Sequence, residues 1–244
     1  MKSEKGFTLV EVIVAMGIGV MMLMAIYLAV NSAQRSSTGI ERKVVAQQDA
    51  RGALDLMAME IRMASFNPNL TPNIWVNPAT CGASASAAYR GIPTAAASSI
   101  ALEMDLTENS VIGDSNEIIS YSYNIANNYI TRETIGCASG TRTTSGAQPF
   151  LGDTTANEAL KTVLVVNDEA GVPLFRYYNG SSTDISATVV SSPTDNVLGI
   201  PAIRRIEITL VVDTVNNDPN TGVPRRIVYS TSVIPRNHIP TYSY

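Results

Sequence analysis

The chain has 244 residues, of which 45% are hydrophobic and 16% charged, the composition of a folded protein with room for one large or two small domains. Acidic residues outnumber basic ones by 21 to 17, and the basic residues form no patch with aromatic side chains between them. Composition and charge therefore argue against nucleic acid binding.

The first predicted element is an apolar helix close to the N-terminus. Residues 1–6 are polar and carry two lysines, whereas the run from Phe7 to Val30 is apolar and has a single charge, Glu11. A run of this length can cross a lipid bilayer as a helix. The lysines before the run favour a cytoplasmic leader and place the rest of the chain outside.

Two ordinary interpretations of this segment are a secretory signal peptide and a simple membrane anchor. The apolar run is longer than the core of a typical signal peptide, and the nearest small residues after it, at 31–33, make a poor cleavage site. A simple anchor would leave Glu11 as an unexplained cost of roughly 3 kcal/mol in the bilayer. An acid inside a span indicates a functional site, so a partner for Glu11 is expected.

The residues GFTLVE at positions 6–11 resemble the leader junction of type IV pilins and type II secretion pseudopilins. The resemblance implies that a prepilin peptidase cuts between Gly6 and Phe7 and that the new amine of Phe7 is methylated. It also implies that Glu11 is the acidic residue that this family uses in assembly. A charge in lipid has a high desolvation cost, which pairing with an opposite charge reduces. The Glu11 carboxylate could pair with the Phe7 ammonium of the same chain or of a neighbouring subunit.

Beyond the span, the helical pattern continues but becomes one-sided, and it ends at Asn67-Pro68. We predict one helix over residues 7–65, transmembrane over 7–30 and amphipathic over 31–65. The predicted apolar stripe comprises Ile40, Val44, Leu54, Met57, Ala58, Ile61 and Ala64. The predicted polar face includes Glu41, Arg42, Lys43, Gln48, Asp49, Asp55, Glu60 and Arg62.

The region 66–244 is predicted to be a β-rich periplasmic or extracellular domain with long loops. The predicted strands are Ser99–Leu106, Glu117–Tyr123, Tyr129–Glu133, Thr162–Val166, Leu174–Tyr178, Ile203–Val212 and Arg226–Ile234. Asn127-Asn128 is predicted to turn between two of them, and the last two strands are predicted to form a hairpin. The fold class is therefore α+β, with the long N-terminal helix packed on an antiparallel sheet through its amphipathic half.

Cys81 and Cys137 lack the close spacing of a zinc or redox motif. In a chain that is exported into an oxidising compartment, one disulfide between them is the favoured interpretation. It would stabilise the fold by roughly 4 kcal/mol through loop closure. Two buried free thiols are the alternative.

Two further segments are similar to the PilW minor pilins and to the J-type pseudopilins of type II secretion. They are ARGALDL leading to EIRMA at residues 50–64, and IRRIEITL at 203–210. The resemblance implies a minor pilin that is made in the bacterial inner membrane as a single-pass protein with a periplasmic C-terminus. It would then enter a type IV pilus near the tip. Implied partners are minor and major pilins, the prepilin peptidase, the inner-membrane assembly machinery and a tip adhesin.

A J-type pseudopilin and a membrane-anchored periplasmic binding protein or hydrolase remain alternatives. An enzyme is disfavoured because His238 is the only histidine and no nucleophile or phosphate-binding motif occurs. Asp105, Glu108, Asp114 and Glu117 are interpreted as a solvated loop.

No cofactor or metal is expected. The oxygen-rich turn at 213–222 raises the alternative of calcium, which some pseudopilins bind in such loops. The turn lacks a regular series of ligands with a closing glutamate, so it is interpreted as a plain hairpin loop.

Overall fold

A computed structural model describes residues 6–84, 86–137, 140–152, 162–219 and 221–238. The first element is one helix, α1, from Leu9 to Met63. At 1.5 Å per residue its 55 residues span roughly 80 Å. It ends where Ser65 takes a left-handed conformation with φ of 65°, two residues before Asn67-Pro68. The long predicted helix is confirmed, with two fewer residues at each end.

The protein interior covers α1 only along its C-terminal part. The buried residues of the helix are Ala46, Ala50, Ala53, Leu54, Met57, Ala58, Glu60 and Ile61. Ile40 and Val44, which were predicted to lie in the apolar stripe, are 64% and 43% exposed. That part of the prediction is wrong because neither side chain belongs to the core that covers the helix from Ala46 onward. The four buried alanines leave room for a close approach of helix to strands.

The first sheet is antiparallel and is formed by residues 94–151. Its strands are β1 (Thr94–Ala95), β2 (Ser99–Glu103), β3 (Ile118–Asn124), β4 (Tyr129–Gly136), β5 (Thr143–Thr144) and β6 (Gln148–Leu151). β1 to β4 pair in chain order, and both β5 and β6 pair with β4. The predicted turn between β3 and β4 is confirmed: Asn128 has a φ of 58°, which asparagine tolerates better than most residues.

The second sheet is also antiparallel and is formed by residues 163–233. Its strands are β7 (Val163–Val165), β8 (Phe175–Tyr178), β9 (Arg205–Thr214) and β10 (Arg226–Val233), and a short helix α2 (Ser186–Ser191) follows β8. β9 is central and pairs with β7, β8 and β10. The predicted C-terminal hairpin is confirmed, and Ile206, Ile208, Leu210 and Val212 of β9 are fully buried on its inner face.

All seven predicted strands are present, but they form two sheets where one was predicted. The main core lies between α1 and the inner faces of both sheets. A second, smaller core lies on the outer face of the first sheet, under residues 74–84, which we call the flap. It comprises Ile74, Trp75, Cys81, Ile112, Ile118, Ile135 and Cys137.

The predicted disulfide between Cys81 and Cys137 is present, with a Cα–Cα distance of 5.2 Å. It joins the flap to the end of β4 and closes a loop with a sequence separation of 56 residues. The weakly patterned region after α1 is therefore held against the first sheet by a covalent bond as well as by packing.

Candidate assembly site

The N-terminal part of α1 lies outside the folded domain. Its large apolar side chains are all exposed, from Phe7 (88%) and Leu9 (78%) to Val30 (49%). An 18-residue window of α1 has a mean hydropathy of 2.5, and none of that window is buried. By length and composition, the helix can cross a membrane. Burial of this surface must come from lipid or from other protein chains.

Thr8 and Glu11 form a capping box at the start of α1. The Thr8 backbone amide and hydroxyl donate to Oε2 of Glu11 at 2.8 and 2.9 Å, and the Glu11 amide donates to the Thr8 hydroxyl at 3.3 Å. These bonds satisfy amide groups that a helix otherwise leaves unpaired at its N-terminus. Sequence reasoning gave Glu11 an assembly role and missed this local one, although the T-x-x-E spacing is its signature.

Only one of the two Glu11 carboxylate oxygens accepts hydrogen bonds in the capping box. Both bonds from Thr8 go to Oε2, and no hydrogen bond to Oε1 is formed by any residue that the structure describes. Around the carboxylate lie apolar side chains, among them Phe7, Val12 and Met16, which line a shallow surface together with it. The site is thus an anionic group set in an exposed apolar surface.

A charged cluster fixes the other end of α1 to the first sheet. Arg132 on β4 forms a salt bridge with Glu60, with 2.7 Å between Nη2 and Oε1, and its Nε lies 3.2 Å from the same oxygen. The Tyr121 hydroxyl of β3 donates to the other carboxylate oxygen of Glu60 at 2.5 Å. The prediction that Glu60 belongs to the polar face of the helix is therefore wrong. Glu60 lies three residues after Met57 and directly before Ile61, both of which are buried. This spacing could have indicated that Glu60 faces the domain.

The prediction of a solvated acidic loop after β2 holds for Glu108, which is exposed, and is wrong for two of the other three residues. Asp105 and Glu117 are fully buried. Glu117 accepts hydrogen bonds from the backbone amides of four residues, namely Leu106, Thr107, Gly113 and Asp114. Asp105 accepts from the amides of Asn109 and Ser110. Both carboxylates therefore shape the loop from inside, because each one replaces water as the acceptor for several amides.

The carboxylates of the turn at 213–222 lie against arginines. Asp213 accepts two hydrogen bonds from Arg226, at 2.9 and 2.8 Å, and Asp218 pairs with Arg225. No group of three or more histidine, cysteine or acidic side chains that could hold a metal ion occurs among the residues in the described ranges. Calcium binding here stays an untested alternative.

His238 and Glu103 are two further buried titratable groups of the domain. His238 fixes the C-terminal segment: its Nε2 lies 2.8 Å from the Ile200 carbonyl oxygen and its Nδ1 lies 3.0 Å from the Ser65 hydroxyl. Burial, together with the charges of Arg204 and Arg90, lowers the pKa of His238 to about 4. Burial raises the pKa of Glu103 to about 8, and Oε1 of this side chain has no hydrogen-bond partner.

These shifts predict that the folded state loses stability as the pH rises from 6.5 to 8. The pKa of Glu103 is higher in the folded state, so its contribution is full below pH 4.5 and is lost as the pH rises through 8. The pKa of His238 is lower, so its contribution is full above pH 6.5 and is lost as the pH falls through 4. Between pH 6.5 and 8 only the Glu103 effect operates. It lowers the free energy of unfolding by about 2 kcal/mol.

Urea unfolding of the wild-type chain and of Glu103→Gln at pH 6.5 and 8 tests this. The difference between the two pH values should largely vanish in the variant, because glutamine does not ionise. An equal pH dependence in both proteins would show that another group is responsible.

Comparison with known proteins gives one match. Residues 1–27 match the family model described as the prokaryotic N-terminal methylation motif. No curated protein and no solved structure matches the chain. The matched segment covers the polar leader, the capping box and most of the exposed apolar part of α1. The chain thus carries a prepilin-type signal followed by a long apolar helix, and its α+β architecture is pilin-like.

Proposed function

We propose that this chain is a minor pilin of the PilW type, a structural subunit that helps to start a type IV pilus or lies near its tip. The observation that carries the proposal is the division of α1. Its first part is exposed and apolar, while its second part is buried against a large two-sheet domain. One continuous helix therefore joins a segment that needs lipid or neighbouring subunits to a domain that folds around the other end.

Processing between Gly6 and Phe7 fits the geometry of the N-terminus. Both residues precede the helix and are exposed. Apart from its chain neighbours, no described residue has an atom within 4 Å of the position that a Cβ of Gly6 would occupy, so packing against these residues does not require glycine there. The requirement for a small residue would then come from the active site of a peptidase. Cleavage leaves the capping box of Thr8 and Glu11 intact.

Mass spectrometry of the mature protein tests the proposed function directly. The expected mature chain begins at Phe7 and carries one extra methyl group on its amine. An intact Met1, or a cut close to Ala33, would contradict the filament function and favour a membrane-anchored periplasmic protein. The location of the protein then separates the two filament types. A minor pilin occurs in filaments sheared from the cell surface, and a J-type pseudopilin does not.

We further propose that Glu11 receives the Phe7 ammonium of a neighbouring subunit through Oε1, while Oε2 continues to cap its own helix. Glu11→Ala is expected to lower incorporation into sheared filaments by at least tenfold, which corresponds to the loss of about 1.4 kcal/mol of pairing energy. The measurement is the amount of the protein in sheared filaments relative to its amount in the membrane.

Glu11→Gln separates the two roles of this side chain. Glutamine can still accept the bonds from Thr8, because an amide oxygen replaces Oε2, but it carries no charge. If charge pairing drives assembly, Glu11→Gln fails nearly as badly as Glu11→Ala. Normal incorporation of Glu11→Gln would mean that the cap alone is important. Glu41→Ala, at an exposed position on the same helix, is the control.

A further inference from the structure

A cavity of about 400 Å³ lies on the outer face of the first sheet, the face turned away from α1. Its floor is formed by Ala101, Ser120 and Ile135, which share that face on β2, β3 and β4. The flap forms one wall, and the segment from Tyr89 to Thr94 forms the other. Its volume lies within the range that is usual for small-molecule sites.

The walls of the cavity are held in place independently of any ligand. The disulfide ties the flap to the end of β4. Within the flap, Val76 and Ala83 form an antiparallel bridge. Arg142, which directly precedes β5, donates its Nε–H to the Pro78 carbonyl oxygen at 2.9 Å. A site that is formed before binding loses little conformational entropy when the ligand enters.

Polar groups without partners converge on this cavity. Tyr89, Thr94 and Ser120 line it, and their hydroxyls make no hydrogen bond to any other residue that the structure describes. Glu103, two residues from Ala101 on the same face of β2, is 1% exposed and is not one of the residues that line the cavity. The three hydroxyls can therefore donate to, or accept from, a ligand that enters the cavity.

The charge and shape of the walls restrict the chemistry of that partner. Among the described residues that line the cavity, Arg142 is the one with a charge, and it forms a 3.0 Å salt bridge with Glu133, so these residues carry no unpaired charge to attract an ion. Pro78, Pro93 and the ring of Tyr89 add apolar surface. Free hydroxyls together with small apolar surfaces match a ligand that carries many hydroxyls on a carbon ring and has no charge.

We propose that this cavity is a binding site for an uncharged saccharide unit. It is separate from the assembly site: the cavity lies on the far side of the first sheet from α1, so it stays open when the N-terminal helix is buried in lipid or among other subunits. The proposal does not depend on the type of filament that the chain enters.

The test uses the full-length chain in a phosphocholine detergent, which has no sugar in its headgroup. Glucose, galactose and N-acetylglucosamine are the probes, and saturation-transfer NMR and the fluorescence of Trp75, the single tryptophan, report binding. At least one of the three should bind saturably. Tyr89→Phe and Ser120→Ala should each weaken that binding about threefold to tenfold, the usual effect of one lost hydrogen bond.

Ser122→Ala is the matched control, because Ser122 lies on the same strand and face as Ser120 but outside the cavity. It should leave the affinity unchanged. The proposal is overturned if none of the three sugars binds saturably or if Ser122→Ala weakens binding as much as Ser120→Ala. Tighter binding of the charged analogues glucuronate or glucosamine would also overturn it.

Discussion

Glu60→Ala is expected to lower the free energy of unfolding by about 3–5 kcal/mol, because it leaves two partners without their acceptor. The Arg132 guanidinium would lose its salt bridge, and the Tyr121 hydroxyl would lose a hydrogen bond inside the core. The side chains of Arg132 and Glu60 are 23% and 9% exposed, so water replaces the lost bonds poorly. Urea unfolding of the full-length chain, followed by circular dichroism, measures the effect.

Two controls separate the loss of pairing from other effects of the substitution. Asp55→Ala changes an exposed acidic residue of the same helix and should alter the free energy of unfolding by less than about 0.5 kcal/mol. The triple variant Glu60→Met, Arg132→Met and Tyr121→Phe removes all three polar partners together. It should be much more stable than Glu60→Ala, since no charge is left buried alone. Equal loss in the single and triple variants would contradict this explanation.

Removal of the disulfide is the second large expected effect. The double variant Cys81→Ser, Cys137→Ser should unfold with a free energy lower by roughly 4 kcal/mol, because the open chain gains the entropy of a loop of more than fifty residues. Trp75 lies in the small core under the flap, so its fluorescence reports local loosening. Circular dichroism reports the main core.

The order of the two signals distinguishes a local role of the bond from a global one. Because the flap packs in a core of its own, Trp75 should become exposed at a lower urea concentration than the helix signal changes. Reduction of the wild-type chain with dithiothreitol should reproduce the result. A loss below about 1 kcal/mol by both routes would mean that packing alone holds the flap.

Local patterns in the sequence were sufficient for much of the fold. The N-terminal motif, the long helix and the alternating strands β9 and β10 are each visible within a few turns or residues of chain. The missed strands lack such a pattern. β1 and β5 have two residues each, and β6 contains Pro149, which argues against a strand. β6 nevertheless forms, because it pairs with β4 alone and beside a register shift at Ile130. A proline is tolerated in such an edge strand, since it has no N–H to donate to a second neighbour.

The sequence by itself determined the leader, the exposed apolar helix with Glu11 inside it, and the class of fold, because those features depend on neighbouring residues. Only the tertiary structure decided which charges are buried and where the helix meets the domain. Glu60 is paired with Arg132, 72 residues further along the chain, and Glu117 is enclosed by the loop that it organises. Periodicity places a side chain on a face, but burial depends on what distant segments bring to that face.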